Sequence, residues 1–301
     1  MGWRNVVITQ HSKLSLSANN LVVQTNQNVY RIPIDDIDVL LISTTQAVIT
    51  TAVIAALAST HAKIIFSGKD GQPVGEFWGT QARKRTADSI TNQVNWETDR
   101  CQRLWTNVVQ AKITSQMQAL DNTGIDTTPL VDELDQLEVG DITNREAVAA
   151  HKYFPLLFGN KFSRRQLDST NAALNYGYAI LLSLVDREIV SNGYLTCIGM
   201  HHRSDENPYN LGSDLMEPFR PIVDYWLSQQ KFNELTPDVK FGLVQLLDLE
   251  IHFNGKTMLV RNALSEHVRN CVNYLTGDVE KVEIDVEVPN EVSSHAINGH
   301  V

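Results

Sequence analysis

Long apolar runs are missing from this 301-residue chain. The longest, Ala52 to Ala58, falls far short of the about 18 residues a membrane span needs, so no membrane partner is expected. The first ten residues, MGWRNVVITQ, carry one basic side chain and no long apolar stretch, which is not the pattern of a secretory signal. Gly2 invites N-myristoylation, but Val6 stands where Ser or Thr is required. Cysteine is scarce. Cys101, Cys197 and Cys271 are odd in number and far apart, so they give neither a disulfide framework nor a metal knuckle. Positive charge is short as well, with 25 Lys and Arg against 35 Asp and Glu. What remains is 43% hydrophobic and 20% charged, the composition of a soluble, cytoplasmic, folded protein with room for two domains.

A net charge of −10 sits badly with a nucleic-acid partner, but the charge is uneven. Residues 121–150 hold eight acidic and one basic side chain, and residues 271–301 hold six and one. Everything else is slightly positive. Within it, residues 81–120 carry Arg83, Lys84, Arg85, Arg100, Arg103 and Lys112. Bulk charge therefore neither excludes DNA nor points to it.

From Trp3 to about residue 43 the sequence runs in short β-type segments, WRNVVIT, KLSLS, NLVVQT, VYRIP and DVLLIS, separated by turn formers. A small-residue helix, TAVIAALAST, follows, and then a strand, KIIFSG. These features predict a β-rich domain over 1–78, and Gly79 with QARKR marks a linker over 79–85. Beyond it the period becomes helical. Val94, Cys101, Leu104, Trp105, Val108, Met117 and Leu120 make one stripe of a long helix, with Arg100, Arg103, Asn107 and Gln110 on another face. Residues 121–142 read as an exposed acidic excursion. Helices are expected at about 144–158, 169–189, 218–230, 236–250 and 261–275. The fold class is α+β: an N-terminal β-rich domain, then a mainly α-helical catalytic domain over 86–277, then a frayed acidic tail over 278–301.

Three segments carry side chains a helical core does not need. In TNREAVAAHKYF (143–154), Glu146 either reaches into a cleft or closes a capping box with Thr143. In GMHHRSDENPYN (199–210), His201 and His202 follow a strand-like run, LTCIGM. Neighbours in a strand point apart, so at most one of them belongs to a site. In SDLMEPFRPIVD (213–224), Pro218 and Pro221 require a helix to begin within the motif. Asp214 and Glu217 then share a face, or simply complement a helix N-terminus. Glu, His and Glu/Asp from separate segments, with no cysteine, form a mostly oxygen donor set that suits Mg²⁺ or Mn²⁺ better than structural zinc. No phosphate loop, GxSxG or HExxH competes.

Taken together, E-x-x-A-A-x-x-Y-F (146–154), D-x-x-N-x-x-L-N-Y-G-Y (168–178), G-x-x-H (199–202) and S-D-L-M-E-P-F-R-P (213–221) resemble the CRISPR-associated integrase family, the first of the Cas proteins. R-I-P-I-D-D-I-D (31–38) is similar in style, and the resemblance spans roughly 3–275, with the branch accompanying type II systems the nearest. Two local departures are Ala147, where many members have Gly, and Gln166-Leu167, where many have Pro. The resemblance implies a metal site of Glu146, His202 and Glu217 that is also catalytic, with Asp214 close by. It places the histidine at 202 because the family's histidine follows its glycine by three positions.

The resemblance further implies a homodimer formed through the β-rich domain and assembled with the small ferredoxin-like adaptation subunit, the second of the Cas proteins. Accessory type II adaptation proteins and the RNA-guided effector are further implied partners. Double-stranded DNA fragments and CRISPR repeat DNA are the implied substrates, joined when a fragment 3′-OH attacks a repeat phosphodiester. Arg83, Lys84, Arg85, Lys112, Lys152, Lys161, Arg164, Arg165 and Arg220 are the expected DNA contacts. Two rivals stay open: a nuclease that cuts branched DNA without integration, and a DNA-binding scaffold in which Glu146 is only a cap.

Overall fold

The computed structural model describes residues 4–60, 62–68, 73–77, 79 and 86–290. All five expected β segments are strands: β1 (Arg4–Ile8), β2 (Lys13–Ser17), β3 (Asn20–Gln24), β4 (Val29–Pro33) and β5 (Ile37–Ile42). A short β6 (Val48–Ile49), helix α1 (Thr51–Ser59), β7 (Lys63–Ser67) and β8 (Pro73–Phe77) follow. They make two four-stranded sheets, ordered β1-β5-β7-β8 and β4-β3-β2-β6. Ala18 and Asn19 both take positive φ, so a two-residue turn joins β2 to β3 with the twist a hairpin needs.

Strand β5 is buried along its whole length because both faces of its sheet are covered. Leu40, Ile42 and Ile64 pack with Leu14, Leu21, Val53 and Leu57 in a small core. Their strand neighbours Val39, Leu41 and Ile65 turn the other way and join the large helical core. The period-two alternation of a strand thus ties the sheets to the helices.

The helical part comprises α2 (Ala87–Val94), α3 (Thr98–Asp121), α4 (Thr128–Asp135), α5 (Arg145–Phe158), α6 (Ser169–Ser191), α7 (Asn210–Met216), α8 (Arg220–Ser228) and α9 (Pro237–Gln245). Then come a hairpin of β9 (Glu250–Phe253) and β10 (Lys256–Leu259), helix α10 (Val260–Leu275) and a short β11 (Val286–Glu287). Helix α6 is buried on every face from Ser183 to Val190, which makes it the axis of the region. No helix among the described residues is long and apolar enough to cross a membrane.

Several expectations need correction. The apolar stripe is interrupted: α2 and α3 are separate helices, and Val94 is exposed. The acidic stretch 121–142 is not an exposed excursion, because α4 packs against α3 and α5 and buries Leu130 and Glu133. LTCIGM forms no strand but a turn-rich loop. A helix does begin within SDLMEPFRP, as the prolines require: α8 starts at Arg220 with Pro221 in its first turn, after a 3₁₀ turn over Glu217–Phe219 and a further short helix, α7, that the sequence did not announce. The helix expected over 236–250 ends at Gln245 and a 3₁₀ turn over Leu246–Asp248 follows; residues 250–259 form a hairpin, with positive φ at Asn254 and Gly255.

The tail is not frayed through residue 290. β11 pairs with β9, Val286 and Val288 are buried, and Glu283, Asp285 and Glu287 alternate outward. Ser115 Oγ donates to the Val286 carbonyl at 3.2 Å, and Val288 N–H donates to Gln118 Oε1 at 2.8 Å. The linker residues 80–85, with Arg83, Lys84 and Arg85, and the tail beyond 290 lie outside the described residues.

Candidate active site

Four elements meet at one pocket. Helix α3 contributes Lys112, the first turn of α5 contributes Glu146, the loop before α7 contributes His202, and the 3₁₀ turn between α7 and α8 contributes Glu217.

Glu146 is aimed by an unusual helix start. Asn144 takes the left-handed conformation at the cap, and Asp141 supplies the cap in place of a Thr143 hydroxyl. Its carboxylate accepts from Arg145 N–H at 2.6 Å and Glu146 N–H at 3.1 Å. The capping box read from the sequence is therefore absent, and the Glu146 side chain bonds the Lys112 ammonium instead. Glu217 bonds the same ammonium from the other side and pairs through its second oxygen with Arg220 at 3.2 Å.

His202 is held by Asp214, which is fully buried. One carboxylate oxygen accepts from Met200 N–H at 2.8 Å and His201 N–H at 3.0 Å; the other accepts from His202 N–H at 3.0 Å and contacts ring Nδ1 at 2.5 Å. A carboxylate on Nδ1 leaves Nε2 as the outward nitrogen, a support pattern common behind metal-bound histidines. The loop needs Gly199, since a Cβ there would lie 2.4 Å from the His202 carbonyl oxygen and 2.8 Å from Asp214. His201 stacks on Trp105 with ring centroids 4.1 Å apart, and His202 meets the same indole edge-on at 5.6 Å and the His201 ring at 5.4 Å, so without a strand the two histidines do not point apart as the sequence suggested. A cavity of about 750 Å³ opens beside His202, lined in part by Trp96, Cys197 and Arg203.

The electrostatics follow from these contacts. Lys112 holds Glu146 well into its charged form, so that carboxyl titrates below its ordinary value. Burial works to strip the proton from Lys112, but Glu217 and Glu146 together outweigh it and the ammonium titrates above its usual value. The bond to Asp214 raises His202, against the effect of burial, while burial lowers His201. Behind the pocket, burial pushes Asp224 up to about 7 even though Tyr178 donates to it.

Two acids and an imidazole are a donor set that suits Mg²⁺ or Mn²⁺. The two carboxylates converge on a single cation, the Lys112 ammonium. Among the described residues, no three His, Cys, Asp or Glu side chains close on one point as a metal would require. The chemistry of the donors fits the ion, and Lys112 lies between them.

The expected DNA contacts divide. Lys112 is buried in the pocket and Arg220 is half-buried, stacked over Tyr178 at 4.7 Å, so neither faces an open groove. Lys152 pairs with Glu133 of the packed acidic stretch at 2.6 Å. Arg164 bonds Asn171 and Asn175 and lies over Phe154 and Tyr178, which ties down the loop before α6. Lys161 and Arg165 are exposed. Sequence reasoning missed Lys112 as the centre of the pocket, although a signal was present: it lies four residues after Val108 and seven after Trp105, inside the apolar stripe of α3, where a lysine has to find a buried acid.

Comparison with known proteins assigns the chain to a family. The family model described as CRISPR associated protein Cas1 matches residues 6–234. A relative named CRISPR-associated endonuclease Cas1, from Neisseria meningitidis serogroup C (strain 8013), is 35% identical over 296 residues and covers 96% of each chain. The chain belongs to the Cas1 family. Among solved structures, a casposase bound to integration product is similar with a TM-score of 0.78 at 18% identity, covering 99% of this chain and 96% of that one. A Cas1 protein from Thermotoga maritima has a TM-score of 0.73 at 15% identity, covering 91% and 97%. Both share the Cas1 fold of strand-rich N-terminal sheets followed by helices.

Proposed function

We propose that this Cas1-family chain is a divalent-metal-dependent DNA integrase of CRISPR adaptation, joining the 3′-OH ends of short DNA fragments to repeat DNA by transesterification. The observation that carries the reading is the convergence of Glu146 and Glu217, from separate segments, on one cation, with His202 braced beside them by Asp214. Glu146, Glu217 and His202 would hold Mg²⁺ or Mn²⁺. When bound, the ion polarises the phosphoryl oxygen and helps ready the attacking hydroxyl. Asp214 fixes the tautomer and angle of His202, and Arg220 sits against Glu217 where it can offset negative charge gathering at the phosphate. Because His202 ligates only when neutral, and its bond to Asp214 raises its titration, activity should fall as pH drops through that raised value.

DNA fragments, repeat DNA and the small Cas2 subunit are the proposed partners. Structures with the same fold are titled as a Cas6-RT-Cas1–Cas2 complex, with a TM-score of 0.69 at 16% identity, and as a Cas1–DNA complex, with 0.56 at 14%. A homodimer is supported by the edge strand β4, whose Val29 and Tyr30 are 58% and 51% exposed and need cover.

A gel assay tests the reading. A labelled fragment is incubated with supercoiled repeat plasmid, Cas2 and Mn²⁺. Covalently joined product is expected for the wild type and none for Glu146→Gln. A second reading, hydrolysis of branched DNA at the same pocket, draws on the endonuclease name of the Neisseria relative; shortened product without joining would favour it. A mobility shift with no new covalent species would return the chain to a scaffold.

A further inference from the structure

Lys112 sits where a DNA-contacting lysine should not, 4% exposed with its ammonium clamped between two carboxylates. We propose that Lys112 is a positioning residue of the metal site: its ammonium holds Glu146 and Glu217 on one point in the metal-free protein and yields that point to a divalent ion. The inference rests on reading the pocket as a metal site.

Three observations carry it. First, two carboxylates facing one buried point repel each other, and without a cation they would splay or take up a proton. Lys112 and Arg220 supply two positive charges against the two negative ones, so the metal-free pocket is balanced. Second, a permanent buried ion cluster is a weak source of stability, since apolar residues of the same volume often do as well. A lysine in the midst of the pocket therefore calls for a role beyond packing. Third, Gln116 lies one turn along α3 on the same face, and it is buried with both amide atoms unpartnered. A displaced ammonium has the Gln116 carbonyl oxygen to turn to. Once a divalent ion neutralises the two carboxylates, Lys112 and Arg220 are left as surplus positive charge, a local field that favours an incoming phosphodiester.

The test uses full-length protein stripped with a chelator, titrated with Mn²⁺ and followed by electron paramagnetic resonance and thermal melting. Lys112→Met removes the competing cation, so Mn²⁺ should bind about tenfold more tightly than in wild type. The metal-free melting temperature should fall by about 5–10 °C and recover at saturating Mn²⁺. Unchanged or weaker Mn²⁺ binding by Lys112→Met, beside normal Glu146-dependent binding by wild type, would overturn the role of Lys112 alone. Wild-type binding that is absent, or indifferent to Glu146→Gln, would sink the metal-site reading and this inference with it. Should Lys112→Met not fold without metal, Lys112→Met/Glu146→Gln, with one charge of each sign removed, should fold. Failure of that variant as well would assign Lys112 to packing.

Discussion

Among the described residues two lysines are buried, one in the helical pocket and one at the seam between the sheets and the helices, and their surroundings treat them in opposite ways. Lys112 has a carboxylate on either side and keeps its proton more firmly than an ordinary lysine. Lys63, on β7, meets Glu76 at 2.5 Å and the Ser183 carbonyl of α6, yet burial wins and lowers its titration. Beside it Asp186 is fully buried with neither oxygen hydrogen-bonded, and burial pushes it well above the carboxylate range. The seam also packs too closely to rearrange, since a Cβ on Gly212 would lie 2.1 Å from Asp186. The seam can settle its charge by moving protons, which suits a permanent joint. The pocket keeps its charges, and charges that are kept can be exchanged for another ion.

Substitutions sharpen that contrast. The largest effect is expected at the pocket: Glu146→Gln should lower strand joining by at least about a thousandfold. Its melting temperature should stay within a few degrees of wild type, because Glu217 still holds Lys112. Joining within tenfold of wild type would remove Glu146 from the chemistry. At the seam the effect should be on stability instead. Lys63→Met leaves Glu76 facing Asp186 without its cation and should cost about 3–5 kcal/mol in urea unfolding, with the activity of the folded fraction kept. An unfolding midpoint equal to wild type would show the seam lysine to be dispensable.

Asp214→Asn, which weakens the brace behind His202, should reduce metal affinity or activity by about ten- to a hundredfold. It should also shift the acid limb of the pH–rate profile downward, because the bond that raises His202 is loosened. A uniform loss with the limb unmoved would mean that Asp214 only folds the loop. The smallest expected effect belongs to Asp186. Its folded-state titration lies above the unfolded one, so its contribution to stability is fully present below the ordinary carboxylate value and is lost as pH rises toward the folded value. Asp186→Asn should therefore flatten the decline of melting temperature above about pH 4; parallel curves for variant and wild type would contradict the burial argument.

The same contrast marks what could be read from the chain alone. The strands of the N-terminal sheets were legible because alternation and turn residues agree; the segments holding Glu146, the histidine pair and Glu217 stood out by composition, while the choice of Glu146, His202 and Glu217 came from the family resemblance. Lys112 was overlooked although its place in the apolar stripe, four residues after Val108 and seven after Trp105, sets it apart from the solvent-facing Arg103 of the same helix. The cap on α5 was hidden because Asp141 reaches it past a left-handed Asn144, a geometry that no four-residue motif encodes. The tail could have been read: Val282, Ile284, Val286 and Val288 alternate with acids at strand period, and net charge drew attention away from that pattern. Asn254-Gly255 likewise carried the signal of a hairpin turn.

The most direct test is a crystal of the protein soaked in Mn²⁺, with anomalous scattering collected at the manganese edge. One peak is expected within about 2.0–2.6 Å of a Glu146 oxygen, a Glu217 oxygen and Nε2 of His202, with the Lys112 ammonium moved out from between the carboxylates. A saturated crystal with no peak there, and Lys112 still bridging Glu146 and Glu217, would contradict the account.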